Sequence, residues 1–199
     1  MAGPGSEGGG GDARGSGHGG TGACGWLPGW LIDGLGGGLV SLVVDIDAVS
    51  ETSAGRALDL PGHGQSTIAL PGRGSGALAD FVARFMDVIE VEQTHLVGHS
   101  MGAAIAAQMA LDHPRRVASV ALIAAAGFGP EINARYIEDF VAAPSRRELK
   151  RVLEQLFAKP ELVSRQMVDD VLKYKRLDGV RELLGDLSRG LFSGGRQAE

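Results

Sequence analysis

The chain has 199 residues, of which 44% are hydrophobic and 22% are charged, and these fractions are ordinary for a single globular domain. Its formal net charge of −5 predicts no general attraction to nucleic acid or to an anionic membrane surface. No apolar stretch reaches the roughly 20 residues that cross a bilayer, and no signal peptide is predicted. Cys24 is the only cysteine, which excludes an internal disulfide and favours a cytoplasmic protein.

The composition of the chain changes near residue 25. Residues 1–25 are rich in glycine and serine and have almost no large apolar side chains, so they are predicted to form a disordered tail. The apolar residues Trp26–Ile32 predict a strand, and the glycines that follow predict a loop. Leu39–Ile46 is a second apolar stretch that fits either a strand or a helix. Arg56–Leu60 predicts another short strand before a Pro-Gly turn.

The middle of the chain alternates between helical and strand patterns. Ala77–Glu90 has apolar residues three and four positions apart, which predicts an amphipathic helix. His95–Val97 predicts a brief strand, an alanine-rich helix follows to about Asp112, and Val117–Ile123 predicts a buried strand. This order predicts an α/β fold with a parallel sheet and crossover helices, in a core that extends over residues 26–130.

Beyond residue 130 the sequence predicts helices only. Ser145 and Glu148 have the spacing of a capping box, in which the serine accepts a bond from a backbone N–H and the glutamate reaches back. Pro160 suits the first turn of a helix. The apolar stripes of these helices are predicted to be packing faces, and the basic clusters, which interleave with acidic residues, are typical of a solvated surface.

One short motif predicts chemistry. Residues 98–102, with the sequence GHSMG, have the pattern G-x-S-x-G between a predicted strand and a predicted helix. A serine on such a tight turn projects its hydroxyl above the sheet, and the flanking glycines let strand and helix approach. The Met101 N–H, at the helix N-terminus, is placed to bind a developing oxyanion, so Ser100 and Met101 are predicted to be catalytic. The alternative is a Gly/Ser turn with no chemistry.

Two motifs together carry a family resemblance. Residues 59–66, with the sequence DLPGHGQS, and the GHSMG motif resemble the α/β-hydrolase fold family. The chain from Arg56 to about Gln197 is similar in particular to the hydrolase-like domain in the dihydrolipoamide acetyltransferase component of acetoin dehydrogenase. Residues 173–180, KYKRLDGV, are part of that likeness. The resemblance implies a partial α/β-hydrolase fold with a helical lid over residues 131–199, in which the N-terminal strands and the C-terminal catalytic segment are missing.

The resemblance also implies a second oxyanion donor. Residues 33–37, DGLGG, occupy the place of the family's H-G-F-G-G loop, which makes the Leu35 N–H the second donor beside Met101. Asp33 stands where the family has a histidine. A carboxylate at this position would oppose negative charge on a substrate oxygen.

A catalytic base is not evident in the sequence. In the family, the acid and the histidine of the triad follow the lid. Only His113 follows Ser100, and at about 1.5 Å per helical residue it lies roughly 17 Å away, too far to take a proton. His99 is predicted to make a packing or loop contact. His63, in a loop at the same edge of the sheet, is the one conceivable substitute.

Three functions are compatible with these features. The first is a serine hydrolase or acyltransferase that transfers an acyl group from a small-molecule substrate through Ser100. For this function the resemblance implies an acetyl group and partner subunits of an acetoin dehydrogenase complex, with thiamine diphosphate on a partner, while no cofactor or metal is predicted for the chain itself. The second is a catalytically inactive fragment or assembly module, which the missing histidine favours. The third, phosphate binding by Gly34–Gly38, matches neither a P-loop nor a dinucleotide-binding motif.

Overall fold

The structure is a computed structural model, and it describes residues 29–36, 55–64, 66–72, 74–193 and 196–197. The predicted tail over residues 1–25 and the apolar stretch Leu39–Ile46 lie outside these residues. Within the described part, the chain forms a parallel sheet, a short antiparallel strand pair and six α-helices.

Four parallel strands form the sheet. They are β1 (Gly29–Ile32), β2 (Gly55–Ala57), β3 (Thr94–His99) and β4 (Val117–Ile123). Their order across the sheet is β2-β1-β3-β4, and every neighbouring pair is parallel, as the sequence predicted. Because the carboxyl ends of parallel strands lie at one edge of a sheet, the segments that follow these strands meet at that edge.

Two helices connect the strands and share their core. They are α1 (Gly74–Val88) and α2 (Met101–Asp112). The periodicity that predicted α1 is confirmed, since its apolar residues enter one buried cluster with those of α2 and the sheet: Trp30, Ile32, Leu78, Val82, Met86, Leu96, Ile105 and Met109. The helix ends at Val88 rather than at the predicted Glu90, because Glu90 adopts a left-handed φ of 58°. Strand β2 is also shorter than predicted and ends at Ala57.

The prediction that Val117–Ile123 is a buried strand is only half right. These residues do form strand β4, but six of its seven residues are exposed, including Ile123 with an exposed fraction of 52%. The cause is the position of β4 at the edge of the described sheet. A β-branched sequence indicates a strand, but it does not indicate what covers that strand.

Four helices follow residue 130 and form a second core. They are α3 (Ala134–Ala142), α4 (Arg146–Leu153), α5 (Arg165–Lys175) and α6 (Val180–Leu191). Their apolar stripes meet in one cluster, as predicted, which includes Phe140, Leu149, Val152, Val168, Leu172, Val180 and Leu184. The predicted N-cap of α4 is present, because the Ser145 hydroxyl accepts a bond of 3.3 Å from the Glu148 N–H.

Helix α6 joins the two cores. Its residues Leu183 and Leu187 pack into the core of the sheet, whereas Val180 and Leu184 pack into the helical core. After α6, strands β5 (Phe192–Ser193) and β6 (Arg196–Gln197) form the antiparallel pair, so the prediction of helices only beyond residue 130 is wrong for these four residues. None of the described helices has the length and apolar character needed to cross a membrane.

Candidate active site

Ser100 lies on a sharp turn between β3 and α2. Its φ of 54° and ψ of −116° cost a non-glycine residue about 1–3 kcal/mol. The Ser100 N–H donates to the Ile123 carbonyl at 2.9 Å, and the Ser100 carbonyl accepts bonds of 3.1 Å from the N–H groups of Ala103 and Ala126. These bonds tie the strained turn to α2 and to the segment at the end of β4. The serine is partly exposed, and Met101, which begins α2, is buried.

Two glycines make this turn possible. A Cβ on Gly98 would lie 2.5 Å from the Cα of Ala103, and a Cβ on Gly102 would lie 2.5 Å from the carbonyl carbon of Ile32. Both contacts are with backbone atoms, which cannot rotate away as a side chain can. The expectation that these glycines remove Cβ atoms that would otherwise collide is therefore confirmed.

The loop that follows β1 lies directly beside Ser100. A methyl group on Gly34 would be 3.0 Å from the Cβ and 3.4 Å from the Oγ of Ser100. Leu35 and Gly36, with a φ of 74°, form the turn that follows. The structure thus brings the loop that contains Leu35 to the hydroxyl of Ser100.

Asp33 forms a polar pair with His99 beside this loop. The Asp33 Oδ1 accepts a bond of 2.7 Å from the Gly34 N–H and lies 3.1 Å from the Nδ1 of His99. The Asp33 side chain is mostly buried, with an exposed fraction of 12%. The sequence predicted a packing or loop contact for His99, and nothing in it indicated Asp33 as the partner. The two residues are 66 positions apart, and no spacing pattern joins them.

His63 is buried in the loop after β2. Its Nδ1–H donates to the Pro61 carbonyl at 3.2 Å, so its Nε2 carries a lone pair, and this atom has no hydrogen-bond partner among the described residues. Burial lowers the pKa of His63, although the Pro61 bond and the carboxylates of Asp33 and Asp59 oppose this shift. Burial at this position therefore favours the neutral form of the imidazole.

The other two described histidines bond to groups away from Ser100. His113 follows the last residue of α2, the opposite end of the helix from Ser100, and its Nε2 lies 2.9 Å from the Oδ1 of Asp80 on α1. His95 is bonded to the Ser119 hydroxyl at 2.8 Å, between β3 and β4. Among the described residues, no group of three or more histidine, cysteine or acidic side chains could hold a metal ion.

Helix α3 covers the loop at residues 33–36. A methyl group on Gly36 would overlap the ring of Phe140, so the ring lies directly against the glycine. Tyr136 stacks on Phe140 with ring centres 6.2 Å apart. Burial, together with the nearby Asp33 carboxylate, raises the pKa of Tyr136 to about 12. The candidate site thus consists of Ser100, the loop of residues 33–36, the loop after β2, and the aromatic face of α3.

Comparison with known proteins finds relatives that match most of this chain. The dihydrolipoyllysine-residue acetyltransferase component of the acetoin cleaving system from Cupriavidus necator is 55% identical over 169 residues, which are 85% of this chain and 45% of that protein. The component of the same name from Pseudomonas putida is 44% identical over 167 residues, with 84% and 45% covered. The chain thus spans less than half the length of these curated relatives.

Structural comparison gives the same fold. A meta-cleavage product hydrolase from Pseudomonas fluorescens superimposes with a TM-score of 0.73 at 22% identity, over 85% of this chain and 62% of that one. A family model for the alpha/beta hydrolase fold matches residues 54–181, which include β3, the turn at Ser100 and the helices through α5. The chain therefore belongs to the alpha/beta hydrolase fold family.

Proposed function

We propose that the chain transfers an acyl group through Ser100. The observation that carries the proposal is the turn at Ser100, where a partly exposed hydroxyl is held in a strained conformation beside the loop of residues 33–36. Strain of this kind persists where the surrounding structure determines it and is concentrated at functional sites. Here Gly98, Gly102 and the bonds to Ile123 and Ala126 supply that surrounding structure.

The reaction would proceed in two steps, acylation of Ser100 and then its deacylation. The Ser100 oxygen attacks the acyl carbonyl carbon, the bond from that carbon to the leaving group breaks, and the Ser100 proton passes through solvent water to the leaving group as the ester forms. An acceptor, which is water in a hydrolase or an alcohol or thiol in a transferase, then attacks the ester and releases Ser100. The N–H groups of Met101 and Leu35 would stabilise the oxyanion in both steps.

The names of the relatives suggest the substrate and the setting. Both curated relatives are acetyltransferase components of an acetoin cleaving system. For this chain we propose that the acyl group is acetyl and that the chain acts together with other subunits of such a system. The acetyl group, with two carbons, suits a site in which the loop beside Ser100 is covered by the Phe140 ring.

Labelling with a fluorophosphonate tests the proposal. Such a reagent phosphonylates only a serine that is activated as a nucleophile. We expect one label per chain on Ser100, and we expect Ser100→Ala to lose it, whereas Ser119→Ala, which removes an exposed hydroxyl on β4, keeps it. Intact-mass and peptide mass spectrometry measure both the stoichiometry and the site. A folded wild-type chain that takes up no label would overturn the proposal.

A catalytically inactive assembly module is the second candidate. It is favoured because the bonds of the described histidines are to groups other than Ser100, namely His63 to Pro61, His95 to Ser119, His99 to Asp33 and His113 to Asp80. Under this alternative, the folded chain binds its partner subunits equally well with serine or alanine at position 100 and is not labelled.

Asp33 should slow acylation. Its carboxylate lies beside the loop that would bind the oxyanion, and a negative charge several ångströms from a developing oxyanion costs on the order of 1 kcal/mol or more near a protein surface. We expect Asp33→Asn, which keeps an oxygen for the Gly34 N–H, to raise the rate constant of fluorophosphonate labelling by about tenfold. Asp80→Asn, on α1 and bonded to His113 beyond the far end of α2, should leave that rate constant unchanged. A slower reaction of Asp33→Asn would contradict this role.

A further inference from the structure

The last turn of α5 contacts two segments of the candidate site. Tyr174 and Lys175 are neighbours in the KYKRLDGV segment, and the acyl-transfer chemistry described above gives neither of them a role. Tyr174 contacts the loop after β2, whereas Lys175 contacts the end of α3. We call these two residues the α5 clamp.

Tyr174 holds the loop after β2. Its hydroxyl donates to the carbonyl of Gly62, and its ring stacks on that of His63 with centres 6.3 Å apart. The same loop closes on itself through the Gly62 N–H, which donates to the Thr67 carbonyl at 2.7 Å. The tyrosine therefore links to α5 a loop that already has a backbone bond of its own.

Lys175 holds the C-terminal end of α3. Its exposed fraction is 6%, and its ammonium group donates to the carbonyls of Phe140 and Ala143, the latter at 2.8 Å. These carbonyls belong to the end of a helix, where backbone acceptors lack partners within the helix and a cation is favoured. The ammonium also lies 5.1 Å from the centre of the Phe140 ring.

The contact of Lys175 extends to the loop beside Ser100 through Phe140. The lysine bonds to the Phe140 carbonyl and lies over its ring, and the outer carbons of that ring lie against Gly36. Gly36 adjoins Leu35, whose N–H is the proposed oxyanion donor. A substitution at Lys175 can therefore displace Leu35 through Phe140, although Lys175 and Leu35 are not in direct contact.

We propose that Tyr174 and Lys175 are positioning residues, which fix the loop after β2 and the loop of residues 33–36 around Ser100 by clamping both to α5. The proposal deepens the proposed function, because it states what sets the geometry of the oxyanion donor. The contacts themselves can be tested without any chemistry at Ser100.

Hydrogen exchange measured by mass spectrometry on the full chain tests the clamp. We compare the wild type with Tyr174→Phe, Lys175→Met and the matched control Lys173→Met, which removes an exposed lysine from the same helix. Tyr174→Phe should speed exchange in residues 59–66 at least fivefold, and Lys175→Met should do so in residues 134–143. In each variant, the exchange rates of the other segment and of β3 should stay within twofold of the wild-type rates. Lys173→Met should change the exchange rate of neither segment.

A second readout separates positioning from general stability. Because an oxyanion donor acts in the transition state, Lys175→Met should lower the maximal rate constant of fluorophosphonate labelling about fivefold while the half-saturating concentration stays constant. If Lys175→Met does not fold, Lys175→Gln, which keeps an N–H donor, should show the same local exchange pattern at smaller amplitude.

The outcomes distinguish the two proposals. Exchange that rises uniformly across β3, α2 and α3, or that does not change in the clamped segments, would overturn the clamp. Local exchange changes in a chain that takes up no label would support the clamp contacts and reject acyl transfer through Ser100. Local exchange changes with an unaltered labelling rate would show that the clamp does not position the donor.

Discussion

Gly102→Ala is expected to destabilise the chain by about 4 kcal/mol or more, enough to unfold a domain of ordinary stability. The new Cβ would lie 2.5 Å from the carbonyl carbon of Ile32 and closer still to its oxygen. Neither atom can move without displacing β1, which is paired on both sides in the centre of the sheet. The clash therefore separates α2 from β1 and opens the core between them.

Thermal and urea unfolding followed by circular dichroism measure this effect. Gly76→Ala is the matched control, because Gly76 lies in α1 with no atom within 4 Å of the position of a new Cβ. In a helix, alanine is favoured over glycine by up to about 1 kcal/mol, so the control should be as stable as the wild type or slightly more stable. A Gly102→Ala chain that unfolds at the wild-type urea concentration would show that α2 is not seated on β1 as described.

The sequence predicted the parts of this site that depend on local chain geometry. The pattern G-x-S-x-G between a strand and a helix predicted the tight turn at Ser100, since only small residues allow that approach, and the same local reasoning located α1, α2 and the N-cap at Ser145. The resemblance of residues 33–37 to the family's oxyanion loop implied a place near the serine, and Gly34 lies beside Ser100, while the donor role of the Leu35 N–H stays a prediction.

The remaining features depend on contacts between distant residues. The pairing of Asp33 with His99 joins positions 66 apart, and the bonds from Lys175 to Phe140 and Ala143 join positions 35 and 32 apart. The basic clusters were predicted to be solvated, and for Lys175 this prediction is wrong, because its side chain is buried with the ammonium on the carbonyls of Phe140 and Ala143. The exposure of β4 was missed for the same reason, since burial depends on which elements lie alongside it.

Alkaline pH should stabilise the chain before it destabilises it. Burial, and to a smaller extent the charge of Arg181, lowers the pKa of Lys175 to about 8, compared with 10.5 for an unfolded lysine. Between these values the unfolded chain binds a proton that the folded chain does not, so the free energy of unfolding rises with pH. At 1.36 kcal/mol per pKa unit, the rise attributable to Lys175 is at most about 3 kcal/mol.

The rise should end near pH 10, because the two tyrosines act in the opposite direction. Burial and the Asp33 carboxylate raise the pKa of Tyr136 to about 12, and burial with the Asp59 carboxylate raises the pKa of Tyr174 further. Above pH 10 the unfolded chain loses these protons first, so the free energy of unfolding falls. Urea unfolding at intervals from pH 7 to 11 should therefore give a maximum close to pH 10.

Lys175→Met isolates the contribution of the lysine. The variant should lack the rise between pH 8 and 10 but keep the fall above pH 10, whereas Lys173→Met should keep both. If the rise persists in Lys175→Met, it belongs to another titrating group.

The wild-type clamp should survive the titration, because the neutral amine still has two N–H donors for the carbonyls of Phe140 and Ala143. Burial therefore disfavours the charged form of Lys175 but leaves its hydrogen bonds intact. The same side chain can lower the free energy of unfolding at neutral pH and still hold α3 in place.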